Sequence, residues 1–183
     1  MLEKVFENFK KEYDHILGSF YPSLGSTGFQ ERNLTTNFAK AYEKTFDKDD
    51  VIVWFELQFG EDKNNHFDCL IINKTQKQIF LIESKRFVNV ESKKGSVKKD
   101  IERINEYFSG FYITDERFVD YLDYDLYGLI VADVWKETTP KKKVFEDFEN
   151  GTLFGPGEYH AVDFDINKYA LLAYLWNIKN SQA

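Results

Sequence analysis

The chain has 183 residues, 43% hydrophobic and 17% aromatic, with one cysteine and a formal net charge of −7 at pH 7. This composition supports one well-packed core and excludes a disordered chain, a disulfide framework within the chain and a cysteine-based metal cluster. The polar N-terminal stretch MLEKVFENFKKEYD does not read as a signal peptide, and no apolar run approaches a membrane span, so the expectation is a single domain over 1–183, cytoplasmic and without membrane contact.

Residues 2–17 place Leu2, Val5, Phe6, Phe9, Tyr13, Ile16 and Leu17 at helical spacing, and Gly18 ends the run. After a loop containing Gly, Ser and Pro, Thr27 and Gln30 have the spacing of a capping box and open a second helix, FQERNLTTNFAKAYEKTF. DVIVWFELQFGED reads as a strand with a charged end, and HFDCLIINKTQKQIFLIESKRF as a β-hairpin turning within Asn73–Gln78. Ser96 is expected to cap a third helix with Val97, Ile101, Ile104 and Phe108 on one face, and a short helix is expected over 115–123. YGLIVADVW is a buried strand, 136–158 is loop-rich, YHAVDF is a last short strand, and an amphipathic helix closes the chain from about Ile166 to Ile178. Several strands are apolar on both faces, which predicts an α/β fold with a central mixed β-sheet flanked by helices on both faces. Trp54, Trp135 and Trp176 are expected in the core, as is Cys69.

The hairpin carries the chemistry. A four-residue turn at Lys74–Lys77 sets Asn73 against Gln78, Ile72 against Ile79, Ile71 against Phe80, Leu70 against Leu81 and Cys69 against Ile82. One pair further on, Asp68 meets Glu83, and alternation puts Lys85 on the same face and Ser84 on the other. Two opposed carboxylates destabilise a purely structural sheet unless something neutralises them, and a hard divalent cation or Lys85 can do so. In the second helix Glu31 shares a stripe with Leu34, Phe38 and Tyr42, so a third acid points the same way.

This arrangement resembles the PD-(D/E)XK nuclease superfamily, with its restriction-endonuclease-like αβββαβ core. Glu31 in ERNLTTNFAKAY, Asp68 in HFDCLII, and Glu83 and Lys85 in IFLIESK match the family's positions in order, over roughly residues 25 to 135. Glu-x-Lys also occurs at Glu61 and Glu91, but only Glu83-Ser84-Lys85 ends an apolar strand. Phe67 stands where the family often has proline. The N-terminal and C-terminal helices lie outside the match. The resemblance implies a Mg²⁺- or Mn²⁺-dependent phosphodiesterase, endonuclease or exonuclease, acting on DNA. It implies metal ligation by Asp68, Glu83 and the Ser84 backbone carbonyl, with Glu31 at a second metal or a metal-bound water. It implies that Lys85 orients or helps deprotonate the attacking water.

Lys85–Arg103 holds seven basic residues against three acidic ones. Its members Lys93, Lys94, Lys98, Lys99 and Arg103 are candidates to track a phosphate backbone, against the plainer reading of a solvated face. His66 shares the face of Asp68 and reads as a bystander at the edge. A catalytically inactive module that binds a protein partner or nucleic acid is the alternative, favoured by the acidic net charge. A homodimer or a partner subunit that supplies DNA contacts is a further one.

Overall fold

The computed structural model describes residues 2–19, 31–60, 65–87, 90–135, 158–163 and 169–178. Its elements are α1 (Leu2–Ser19), α2 (Glu31–Thr45), β1 (Val51–Gln58), β2 (His66–Asn73), β3 (Gln78–Phe87), α3 (Val90–Glu106), β4 (Asp125–Trp135), β5 (Glu158–Asp163) and β6 (Tyr169–Asn177). Between α3 and β4 the chain makes a π-helical turn, Tyr107–Phe111, and two short 3₁₀ segments, Tyr112–Thr114 and Glu116–Tyr121.

The strands form one mixed sheet in the order β1-β2-β3-β4-β6-β5. Only β3 and β4 run parallel, joined by the crossover through α3, and the other neighbours are antiparallel. Helices cover both faces. Leu34, Phe38 and Tyr42 of α2 and Val5, Phe6, Phe9 and Tyr13 of α1 pack over Cys69, Ile71, Phe80, Ile82, Leu129 and Val131. Phe9 meets Phe38 edge to face at 5.6 Å. On the opposite face Val97, Ile101 and Ile104 of α3, with Tyr107 and Phe108, cover Leu70, Ile72, Ile79, Leu81, Ile130 and Ala132. The apolar runs in β3 and β4 exist because these strands are buried on both sides.

The hairpin forms in the expected register, from Asn73↔Gln78 to Cys69↔Ile82, around a turn at 74–77. The first helix, the strand at β1, the parallel strand β4 and the short strand β5 also stand where the periodicity places them.

Four expectations are corrected. The C-terminal helix expected from Ile166 is instead strand β6, inserted between β4 and β5. Ala170 to Trp176 are all buried, and such a run has no polar face for an amphipathic helix. Its Ala and Leu content mimicked helix propensity, while burial between two strands decided the outcome. Ser96 is not a cap, because α3 starts at Val90, and its hydroxyl donates to the Lys93 carbonyl within the helix. The short helix expected over 115–123 is a 3₁₀ segment, Glu116–Tyr121, capped by the Asp115 side chain, which accepts from the Arg117 N–H. Trp54 is 59% exposed, because β1 is an edge strand. The Thr27 capping box and residues 136–157 of the expected 136–158 loop fall outside the described residues, and Glu158 already belongs to β5. Among the described residues no helix is long and apolar enough to cross a membrane.

Candidate functional site

The sheet opens at one end of the hairpin. The β2–β3 ladder stops at Cys69↔Ile82, whereas β2 stays paired with β1 to His66↔Gln58 and β3 stays paired with β4 to Phe87↔Val134. Backbone donors of β3 beyond Ile82 therefore lose their β2 carbonyls and need other acceptors. Carboxylates supply them. The Ser84 N–H donates to Asp68 Oδ2 at 2.8 Å, and the Arg86 N–H donates to Glu31 Oε1 at 3.0 Å. The local fold thus draws Asp68 and Glu31 to the end of β3 as substitutes for a missing strand. The expected pairing of Asp68 opposite Glu83 is corrected: the β2–β3 ladder ends one pair earlier because the strands part there, and Asp68 turns to the Ser84 N–H, although its charge still acts on Glu83.

Alternation along β3 sends Ser84 toward α2 and Glu83 and Lys85 toward α3. The Thr35 hydroxyl donates to Ser84 Oγ at 2.7 Å and holds the first turn of α2 on the strand. On the other side the Lys85 ammonium lies 2.8 Å from Asp100 Oδ2 and 3.7 Å from Glu83 Oε2. The Arg103 guanidinium donates to Glu83 Oε1 and, at 3.1 Å, to Asp100 Oδ1. Lys93 donates to Glu31 Oε1 at 2.9 Å. All four candidates Glu31, Asp68, Glu83 and Lys85 therefore converge, joined by Lys93, Asp100 and Arg103 of α3.

The electrostatics follow from burial and company. Glu83 is only 3% exposed, and burial, then the nearby Asp68 charge, push its carboxyl up to about 8 against the opposing pull of Arg103 and Lys85. Burial also raises Asp68, opposed by the Ser84 N–H and by Lys85. Burial acts to raise Glu31 as well, but the Lys93 bond, the Arg86 N–H and the charges of Lys93 and Lys85 outweigh it, and its carboxyl lies below the ordinary value. For Lys85 burial works against the ammonium, yet Asp100, Glu83 and Glu31 more than compensate and hold it in the charged form.

Four carboxylates (Glu31, Asp68, Glu83, Asp100) face three cations (Lys85, Lys93, Arg103). Asp68 is the one of the four that makes no ion pair among the described residues. No group of three or more His, Cys, Asp or Glu side chains among the described residues is arranged to hold a metal as the side chains stand. Asp68 and Glu83 nevertheless fit a hard cation as a donor set: two neighbouring carboxylates, both pushed toward the neutral form, within a cluster that is one positive charge short.

The basic stretch does not form one stripe. Lys93 and Arg103 turn into the site, Lys98 pairs with Glu102 on the surface at 3.8 Å, and Lys99 is exposed. His66 sits at the edge, its Nε2 3.0 Å from the Glu56 carboxylate, and Glu56, with φ 54, stands opposite Asp68 where the β1–β2 ladder skips a pair. Asp100 was missed by the sequence reading. Its signal was there in principle, since Asp100 and Arg103 lie at i, i+3 on α3 and flank the buried Ile101 and Ile104. No family model, no curated protein and no solved structure matches the chain.

Proposed function

We propose that the chain is a metal-dependent nuclease with a restriction-endonuclease-like core, hydrolysing phosphodiester bonds in nucleic acid, DNA in the first place. The observation that supports this most is Asp68: a half-buried carboxylate without an ion pair among the described residues, beside a buried carboxylate, Glu83, at the opening of the sheet. Mixed α/β topology with β3 and β4 parallel and helices on both faces agrees with the reading.

In this scheme Asp68 and Glu83, with the Ser84 carbonyl, hold Mg²⁺ or Mn²⁺, and Glu31 supports a second ion or an ordered water. The bound ion supplies Lewis acidity toward a phosphoryl oxygen and a water of lowered pKa. Lys85 is kept protonated by Asp100, Glu83 and Glu31, so its role is to orient water and offset charge developing on the phosphate oxygens rather than to accept a proton. Arg103 holds Glu83 in place until it exchanges that carboxylate for a phosphate oxygen.

The test is cleavage of plasmid, single-stranded and branched DNA by purified protein with Mg²⁺ or Mn²⁺. Glu83→Gln, Asp68→Asn and Lys85→Ala are each expected to lower the rate by roughly 100-fold or more. Absence of cleavage on every substrate, or activity that survives these substitutions, defeats the proposal.

A second reading has its own support. The ion pairs Glu31–Lys93, Glu83–Arg103 and Asp100–Lys85 nearly neutralise the cluster from within, as in a nuclease-fold module that binds a partner without catalysis. Calorimetry that detects no divalent-cation binding dependent on Asp68 and Glu83 would select it.

A further inference from the structure

Beside the carboxylate cluster lies a cavity of about 640 Å³, lined by Phe59, Asn65, Lys99, Glu102, Arg103 and Phe111 among others. We infer that this cavity is a nucleobase pocket and that the preferred substrate is single-stranded nucleic acid, one base stacking on Phe111 while its phosphate reaches the acids. The inference rests on the nuclease reading and specifies its substrate class.

Phe111 is 53% exposed, although Tyr107 and Phe108 of the same turn are buried. It ends the π-helical turn Tyr107–Phe111, and π turns concentrate at functional sites. A large aromatic ring held open beside a polar cluster has stacking surface to offer. From Phe111 a line of contacts leads to the acids. Its ring centroid is 6.5 Å from that of Phe59, and Phe59 stacks on Phe67 at 4.4 Å and 10°. The Arg103 guanidinium lies 5.4 Å from the Phe67 centroid and binds Glu83. The cavity and the carboxylates share Arg103, so a base in one and a phosphate at the other can belong to adjoining parts of a strand.

The rim argues for a base rather than a phosphate. Lys99 and Arg103 share the rim with Glu102 and Glu106, and Arg103 already binds Glu83, so the rim carries no surplus of positive charge to attract a polyanion. Asn65 donates and accepts, and the two glutamates accept, which suits the amino and carbonyl groups on base edges. Aromatic platforms bind bases largely irrespective of sequence, at roughly 1–3 kcal/mol per stacked base. A duplex keeps its base faces stacked and cannot offer one to Phe111.

The experiment is fluorescence anisotropy in EDTA, where no cleavage intervenes, with labelled oligo-dT, labelled oligo-U and a blunt DNA duplex of equal length at one salt concentration. At least one single strand is expected to bind about 10-fold or more tightly than the duplex, and comparing dT with U tells DNA from RNA. Phe111→Ala is expected to weaken single-strand binding by roughly 5- to 100-fold. Phe111→Leu, which keeps apolar packing without a π face, should weaken it similarly, and Phe111→Trp should preserve it. Thermal melts of the variants confirm folding. Duplex binding as tight as single-strand binding, or Phe111→Ala and Phe111→Leu binding like wild type, overturns the inference. The two proposals fail separately: Phe111-dependent binding without Mg²⁺-dependent cleavage defeats only the nuclease reading, and cleavage indifferent to Phe111 defeats only the pocket.

Discussion

Asp133 on β4 shows how single buried charges are held in this protein. It is 1% exposed, accepts a 2.9 Å bond from the Tyr13 hydroxyl and lies 3.8 Å from Arg86 Nε. Burial raises its carboxyl from 3.8 to about 6, only partly offset by Arg86 and Tyr13. A carboxyl whose pKa is raised on folding binds its proton more tightly in the folded state. Its favourable contribution is complete below pH 4 and is lost as pH rises through about 6. The expected outcome is that wild type loses ~2–3 kcal/mol relative to Asp133→Asn between pH 4 and pH 7, because the amide can still accept from Tyr13 but cannot ionise. Denaturant melts of both proteins across that range check it, and parallel pH profiles would contradict it. At the same scale, pairing apolar residues gave the hairpin register and so brought Asp68 and Glu83 to the same end of the hairpin, although not into a ladder pair. Asp100 was not legible as a site residue, and Arg103 was legible only as a cation to track a phosphate backbone, because nothing local says which turn of α3 lies over β3.

At the scale of elements, the replacement of an expected helix by β6 has a direct test. Gly128 of β4 pairs with Trp176 of β6, and a Cβ at Gly128 would meet the Trp176 ring at 2.0 Å. The indole is also fixed by its N–H, which donates to Asn105 Oδ1 at 2.9 Å. Gly128→Ala is expected to destabilise by about 1–3 kcal/mol through overpacking. Pairing it with Trp176→Leu should recover part of that loss, giving a non-zero coupling in a double-mutant cycle. If the C-terminal segment were a helix elsewhere, the two changes would simply add. The opening between β2 and β3 belongs to this scale too. It arises because β2 follows β1 while β3 follows β4, and side-chain carboxylates then accept the freed N–H groups of Ser84 and Arg86.

Taken as a whole, the molecule concentrates acids where two strand pairs part, and the proposed nuclease reading puts a cation at that surplus of one carboxylate. Mg²⁺ or Mn²⁺ at about 100 times its dissociation constant is expected to stabilise the native state by about 2.7 kcal/mol, which raises Tm by roughly 5–10 °C for a chain of this size. Asp68→Asn and Glu83→Gln should each abolish most of the shift, whereas Lys98→Ala, at an exposed surface pair, should retain it. Thermal melts with and without the ion decide the matter, and an equal shift in all variants would place the cation elsewhere.

By itself the sequence determined the helical stripes of α1 and α2 and the hairpin with its register from Asn73↔Gln78 to Cys69↔Ile82. These follow from local periodicity and from nearest-neighbour pairing, which a single chain segment encodes. Only the tertiary structure decided that residues 169–177 form a strand, that Trp54 faces solvent, that Lys93 and Arg103 turn inward, and that Phe111 borders a cavity. A run buried on both faces carries no period to distinguish strand from helix, and the inward or outward turn of a long basic side chain depends on which carboxylates distant segments bring within reach.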